Sequence, residues 1–451
     1  MAPIESPENM ASVTDFKRLE GVWRSRGYGK ILWITEDHYT FFEETSISCL
    51  PVHSGCLEEL TERYVDLEVS QSGRTFSARR ATGVTRVGFS KLKALPRTVA
   101  ESEKQDSSDP IHNFEVFWQT FAEQYALFEL KGLNWERIRQ KHRSAVTSDT
   151  HPEHLFGVLA AMLRPLKDGH VRLHSPWGHY NAGAQPALYR RLGQELDAAG
   201  DPREIESYLG ELREWLHEVI DEDYLQGGIR RCKRHLVEWG KLSDSAGYLN
   251  IRAMAGQSGQ LGHPAEDIEA VEDLMPSILS ELGTRPNLVL DLRGNGGGYD
   301  GVALSFASYL MDRKRVAFTK SARHGSGMTG QQSVQVVPAA SGTYRGNLYV
   351  LTSELTSSAA EILVLALLQH PRLTLIGEPT HGILSDTLER HLPNGWNLTL
   401  SNEIYRAYDG QIYEDEGIPP HIRLPFLGRQ GRNQGRDPML ERALNLMAAN
   451  R

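Results

Sequence analysis

Three observations predict an α/β protein. Between about 244 and 426, short β-branched runs (GYLNIRAM, NLVLDLR, RVAFTK, NLYVLTS, LTLIG, WNLTLS) alternate with helical candidates near 268–282, 302–310 and 359–368. That alternation is the pattern of strands connected by crossover helices. A helix-patterned stretch precedes this core, and a strand-patterned stretch precedes the helices.

In chain order, residues 14–90 hold GVWRSRGYGKILWI, HYTFFEE, RYVDLEVS and TFSARRA, rich in aromatic and β-branched residues and divided by Gly, Ser and Asp. They read as a small N-terminal all-β domain. ALPRTVAESEKQDSSDP then turns to Ser, Asp, Glu and Pro, the composition of a linker, and closes a first region at 1–105. FEVFWQTFAEQYALF, WERIRQKHRSAV and PEHLFGVLAAMLRPL space apolar residues by three and four, so 106–243 is expected as a helical subdomain. Its later part, about 186–240, interleaves acids and bases and reads as a charged helical insertion with solvated faces. The α/β core spans 244–426, and 427–451 is expected as a C-terminal helix.

Composition limits the function. The 451 residues carry 49 Lys+Arg against 58 Asp+Glu, a net charge of −9, with 40% hydrophobic residues and three cysteines. The length allows two to four folded domains. A mildly acidic chain without basic runs lacks the clustered cations that nucleic-acid binding requires. No stretch reaches the roughly 18 apolar residues of a membrane span. The start, MAPIESPENMASVTDF, has neither the charged and apolar regions of a signal peptide nor an Arg-rich amphipathic face, so a cytoplasmic location is expected. Cys49, Cys56 and Cys232 lack metal-ligand spacing and read as reduced thiols, with a Cys49–Cys56 bridge as the less favoured alternative. A homo-oligomer is compatible with all of this.

Two segments hold the candidate chemistry. Gly296-Gly297-Gly298-Tyr299-Asp300-Gly301 follows a strand, precedes a helix and satisfies G-x-G-x-x-G, but RVAFTKSARHG offers Lys and Arg where a dinucleotide site needs an acid for the ribose. The same loop can present bare backbone N–H groups to an anion, so it also fits an oxyanion hole. In NLYVLTSELTSSAAEILVLALL a strand breaks and runs into an apolar helix with Ser358 at its start. The helix dipole and free N–H groups suit a nucleophile there. Ser358-x-x-Glu361 is equally a capping box. No cofactor is expected. His170 and His174 lie four apart without a third ligand, so no metal is expected either, and the G-x-S-x-G elbow of α/β-hydrolases is absent.

The ordered series DLRGNGGG, TSSAAEI, LIGEPTHG, LPNGWNLTLS and YEDEGIPP resembles the tail-specific protease family, the carboxyl-terminal processing peptidases. FEVFWQTFAEQYALFELKGLNWERI and MLRPLKDGHVRL extend the likeness toward the tricorn-like branch, over roughly 110–425. The resemblance implies a crotonase-like ββα core and a serine peptidase cleaving peptide or peptide-like amides through an acyl-enzyme on Ser358. It implies an oxyanion hole from Gly297 with the N–H of Ser358 or Ala359. Many members place a lysine base in T-x-G-K-G. Here the segment reads Thr380-His381-Gly382-Ile383-Leu384, and no lysine follows Lys320. His170, in Asp168-Gly169-His170, matches the tricorn-like base, with His381 in reserve, and its imidazole suits proton transfer near neutrality. Glu414 matches the acid of the tricorn-like set, Glu416 competes with it, and Asp168 either orients His170 or caps the preceding helix. Gly169 stands where that branch has a serine, and Pro420-His421 where it has Pro-Asp.

The segment 321–345, rich in Gly, Ser and Gln, is expected as a lid or flap. No PDZ-like insertion is visible between His170 and Gly247. Two alternatives stay open: a non-catalytic binder of a small lipophile, as in the retinoid-binding repeats of similar fold, and a non-peptidase hydrolase or cyclase using the same serine.

Overall fold

The computed structural model describes residues 12–81 and 83–449. It shows a mixed α/β chain that divides into two compact units. The first comprises residues 1–184, 320–332 and 385–405; the second comprises 185–319, 333–384 and 406–451.

In the first unit, seven strands form one antiparallel sheet: β1 Gly21–Ser25, β2 Lys30–Ile34, β3 His38–Glu44, β4 Cys49–Cys56, β5 Tyr64–Val69, β6 Thr75–Arg80 and β7 Arg86–Leu92. Their order is β4-β3-β2-β1-β7-β6-β5. Trp23, Phe76 and Phe89 fill its buried side, with Phe76 stacked on Phe89 at 4.6 Å, the large apolar contacts that make aromatic-rich strands worth burying. Helices Pro110–Gln124, Trp135–Arg143 and Pro152–Leu163 follow as the three- and four-residue spacing requires.

The break expected near residue 105 does not separate two cores. Trp23 and Phe76 of the sheet, Phe117 and Leu159 of the helices and Leu398 from far down the chain share one hydrophobic cluster. The composition change marks a connection, not a boundary between independent cores. A second, four-stranded antiparallel sheet in this unit runs Thr387–His391, Asn397–Ser401, Arg172–Ser175, Gly178–Asn181. His170 stands immediately before its third strand.

The second unit is built on a seven-stranded sheet in the order Gln226–Arg231, Val237–Ser243, Ala246–Ile251, Asn287–Asp291, Asn347–Thr352, Leu373–Gly377, Ile422–Arg423. The first two junctions are antiparallel and the remaining four parallel. Every residue of Asn287–Asp291 is buried, as a central parallel strand covered on both faces must be.

Two sequence expectations are corrected. Helices cover Ala187–Ala199 and Ile205–Val219, but 226–243 is strand rather than charged helix. Val237, Leu242 and their partners bury against the sheet, and tertiary pairing overrides the local charge pattern. The segment 321–345 is not a structureless flap. It holds the end of strand Arg315–His324, the short strand Gly327–Met328 and strand Gln332–Val336. The C-terminal helix is Pro438–Ala449, after a short turn of helix at Arg429–Asn433. Cys49, Cys56 and Cys232 are all free thiols. Among the described residues no helix is long and apolar enough to cross a membrane.

Candidate active site

Ser358 sits at a strained elbow in the second unit. After strand Asn347–Thr352 the turn is laced by its own hydroxyls: Ser353 Oγ donates to the Arg293 carbonyl at 2.5 Å and Thr356 Oγ1 to the Leu292 carbonyl at 2.8 Å. These bonds fasten the turn to the end of the neighbouring strand and let the chain reverse directly into helix Ala359–Leu367, whose nine residues are all buried. Ser358 itself has φ +56° and ψ −126°. A side chain in that region costs about 1–3 kcal/mol, held only where the surroundings over-determine it.

Glu361 over-determines it. Its Oε2 accepts from the N–H of Ser358 and of Ile383, both at 3.0 Å. Its Oε1 accepts from Thr380 Oγ1 at 2.6 Å and from the Gly382 N–H at 2.7 Å. Burial pushes the carboxyl above its ordinary range, against the pull of those donors and of nearby His381. The capping-box pattern is therefore real but underestimates Glu361, which also fastens the 380–383 segment to the helix start. The Glu361 N–H donates to the Ser358 carbonyl at 2.8 Å.

The glycine loop packs against this elbow. Gly297 has φ +96°, and a Cβ there would lie 2.7 Å from Ser358 Cβ and 3.0 Å from the Ala359 nitrogen. The chain at 357–359 therefore packs directly against Gly297. Two of the expected oxyanion donors have hydrogen-bond partners in the structure. The Ser358 N–H is taken by Glu361, and the Gly297 N–H donates to Asn295 Oδ1 at 2.9 Å. The N–H groups of Ala359 and Gly298 have no hydrogen-bond partner among the described residues.

Sequence reasoning missed the supports of this loop. Asn295 is buried, and its Nδ2 donates to the Ile251 carbonyl at 2.9 Å while its carbonyl accepts from the Ser357 N–H at 3.1 Å. Arg293 is buried between Asp291 at 2.5 Å and Asp437 at 2.8 Å. The string DLRGN contained three of these four residues. Asp437, more than a hundred residues away, carried no local signal.

His381 and the two acids separate clearly. The His381 ring meets the Glu354 carbonyl through Nδ1 at 3.0 Å. Glu414 is buried and its Oε2 accepts from the Leu384 N–H at 3.0 Å, whereas Glu416 is exposed. His421 Nδ1 accepts from the Leu375 N–H at 2.9 Å.

In the first unit, Lys167 in the left-handed region (φ +47°) ends the short helix Arg164–Leu166 and starts the Asp168-Gly169-His170 turn. Asp168 Oδ1 accepts from the His170 N–H at 2.9 Å, and its Oδ2 accepts from Tyr125 Oη at 3.0 Å. Asp168 thus neither caps the helix nor bonds the imidazole; it fixes the His170 backbone. The His170 ring is buried, and its Nδ1 has no hydrogen-bond partner among the described residues. Burial lowers its pKa, while the charges of Asp168 and Asp386 and the Ser385 carbonyl pull the other way. The ring is accordingly neutral, in its proton-accepting form, at neutral pH. His174, four residues on, lies on an exposed strand and meets His179 instead. Lys320 is buried with Glu403 at 3.0 Å, so the last lysine of the chain is committed to an ion pair.

Fold and site together define a mixed α/β protein organised around a serine at a strained strand-to-helix elbow. Residues 245–424 match Peptidase family S41, and residues 109–164 match the Tricorn protease C1 domain. These matches support a tail-specific protease family. The carboxy-terminal processing protease CtpA of Bacillus subtilis (strain 168) is 27% identical over 149 residues, 31% of this chain and 30% of that protein. The match thus spans under a third of the relative's length. A solved structure from Parabacteroides merdae ATCC 43184 superposes with a TM-score of 0.60 at 22% identity, over 75% of this chain and 96% of the other. Mature CPAF complexed with lactacystin superposes with a TM-score of 0.51 at 12% identity, over 75% and 97%. At these identities the two structures speak to shared fold.

Proposed function

We propose that this chain is a serine peptidase with a crotonase-like core, cleaving peptide or peptide-like amides through an acyl-enzyme on Ser358. The observation that carries this reading is the backbone of Ser358, held at φ +56° on the first turn of a buried helix with Gly297 against it. Strain of this kind persists where it serves a function.

In the proposed cycle His170 is the base that takes the Ser358 Oγ proton as Oγ bonds to the substrate carbonyl carbon. The oxyanion is received by the N–H groups of Ala359 and Gly298. His170 returns the proton to the leaving nitrogen as the carbon–nitrogen bond breaks, and water repeats the sequence to release the acid. Glu414, the buried one of the two candidate acids, completes the set. His381 is the reserve base: its Nδ1 meets the Glu354 carbonyl, which leaves Nε2 as the accepting nitrogen.

The test is a fluorophosphonate serine probe on the parent, Ser358→Ala, His170→Ala and His381→Ala. The proposal expects labelling in the parent and in His381→Ala only. Equal labelling of Ser358→Ala would discard the nucleophile, and undiminished labelling of His170→Ala would discard the base.

A further inference from the structure

We propose that the N-terminal seven-stranded sheet is a positioning element for His170, acting through Tyr28, Glu403 and Ser385. The proposal deepens the reading of His170 as a base and gives the first hundred residues a task.

The route is a series of buried hydrogen bonds inside the first unit. Tyr28, in the turn between β1 and β2, donates its Oη to Glu403 Oε1 at 2.5 Å. Glu403 Oε2 accepts from Lys320 Nζ at 3.0 Å and from Tyr405 Oη at 3.3 Å. Lys320 in turn donates to Thr85 Oγ1, just before β7, at 2.5 Å. The sheet therefore grips both oxygens of this carboxylate, one directly and one through the lysine. The Glu403 backbone N–H donates to Ser385 Oγ at 3.2 Å, and the Ser385 carbonyl stands against the His170 ring. Tyr28, Glu403, Ser385 and His170 are all buried.

A second grip acts on the same segment. Arg390 donates to the Tyr28 carbonyl and pairs with Glu43 of β3 at 3.5 Å. The His391 N–H donates to Glu43 Oε2 at 2.7 Å. The strand so held, Thr387–His391, pairs with Asn397–Ser401, from which Thr399 Oγ1 donates to the His170 carbonyl at 2.6 Å. Backbone and ring of His170 are thus both referred to residues that the N-terminal sheet fixes. In a dry interior such networks are stiff, and loss of one donor leaves a buried acceptor unpaired.

The groups facing the ring are the Asp168 and Asp386 carboxylates, the Arg172 guanidinium and the Ser385 carbonyl. Of these, the Ser385 carbonyl is the one that the Tyr28–Glu403 series sets. Loosening it removes an acceptor that favours the protonated ring, so the His170 midpoint falls.

The experiment titrates the His170 imidazole by long-range proton–nitrogen NMR in the full chain, in parallel with the fluorophosphonate rate at Ser358. Tyr28→Phe keeps the ring and deletes only the hydroxyl; Ser385→Ala deletes only Oγ. Each is expected to lower the His170 midpoint by about 0.5 and the plateau labelling rate about 10-fold. Phe76→Leu weakens the same sheet without touching the series and is expected to move neither. An unchanged midpoint in Tyr28→Phe, or the same displacement in Phe76→Leu, overturns the proposal. A parent that fails to label while Tyr28→Phe still displaces the midpoint counts against the peptidase reading and supports the positioning.

Discussion

Gly297 and Ser358 are in direct contact: a Cβ on the glycine would lie 2.7 Å from Cβ of the serine. No side chain fits in that gap, and φ +96° at Gly297 already disfavours one. Gly297→Ala is expected to abolish fluorophosphonate labelling of Ser358, at least about 100-fold in rate, while far-UV circular dichroism stays close to that of the parent. A well-folded Gly297→Ala that labels normally would show that the contact has no bearing on reactivity.

Glu361 accepts four hydrogen bonds with two oxygens. An amide of the same shape turns one of those oxygens into a donor facing donors. Glu361→Gln is therefore expected to cost about 1–3 kcal/mol, read from urea unfolding, and to reduce Ser358 labelling as the 380–383 segment loosens. Stability equal to the parent would mean that the carboxylate is not the clasp it is taken for.

Arg293 has two buried carboxylate partners, one local and one from the C-terminal region. Asp437→Ala leaves Arg293 paired with Asp291 but strips the buried Nη1 of its acceptor, and is expected to destabilise by about 1–3 kcal/mol. The guanidinium chloride midpoint measures it, and a loss below about 1 kcal/mol would class the pair with ordinary surface ion pairs.

The pH dependence has a definite sign at two histidines. The hydrogen bond to Glu43 raises the pKa of His391 above its ordinary 6.5, so its contribution to stability is fully present below 6.5 and is lost as pH rises through the raised value. The difference in melting temperature between parent and His391→Gln should follow that course; a difference that grows with pH contradicts it. Burial lowers the pKa of His170 below 6.5, so the base form is present above the lowered value. The acid limb of the labelling rate is expected below pH 6.5, and a limb above that point speaks against His170 as the base.

Much of the α/β core was legible because its signals are local. The alternation of β-branched runs and helices, the DLRGNGGG loop and the TSSAAEI turn each depend on residues a few positions apart. The sequence also sufficed to exclude a Ser/Lys pair in the 380–384 segment, since Ile383 stands at the lysine position. The strands at 226–243 were misread because a charged, mixed pattern fits a solvated helix as well as a partly exposed sheet edge, and pairing with Ala246–Ile251 decides between them.

What the sequence by itself determined is the resemblance to the tail-specific proteases, the serine at a helix start and a glycine loop at a strand end. Those are patterns of residue type at short spacing. Only the tertiary structure decided which donors remain available. It assigned the Ser358 and Gly297 N–H groups to Glu361 and Asn295, separated buried Glu414 from exposed Glu416, and placed Lys320 in an ion pair with Glu403. It also tied the N-terminal sheet into the core that holds His170. Hydrogen-bond satisfaction and burial depend on partners distant in sequence, and those are known only once the chain has folded.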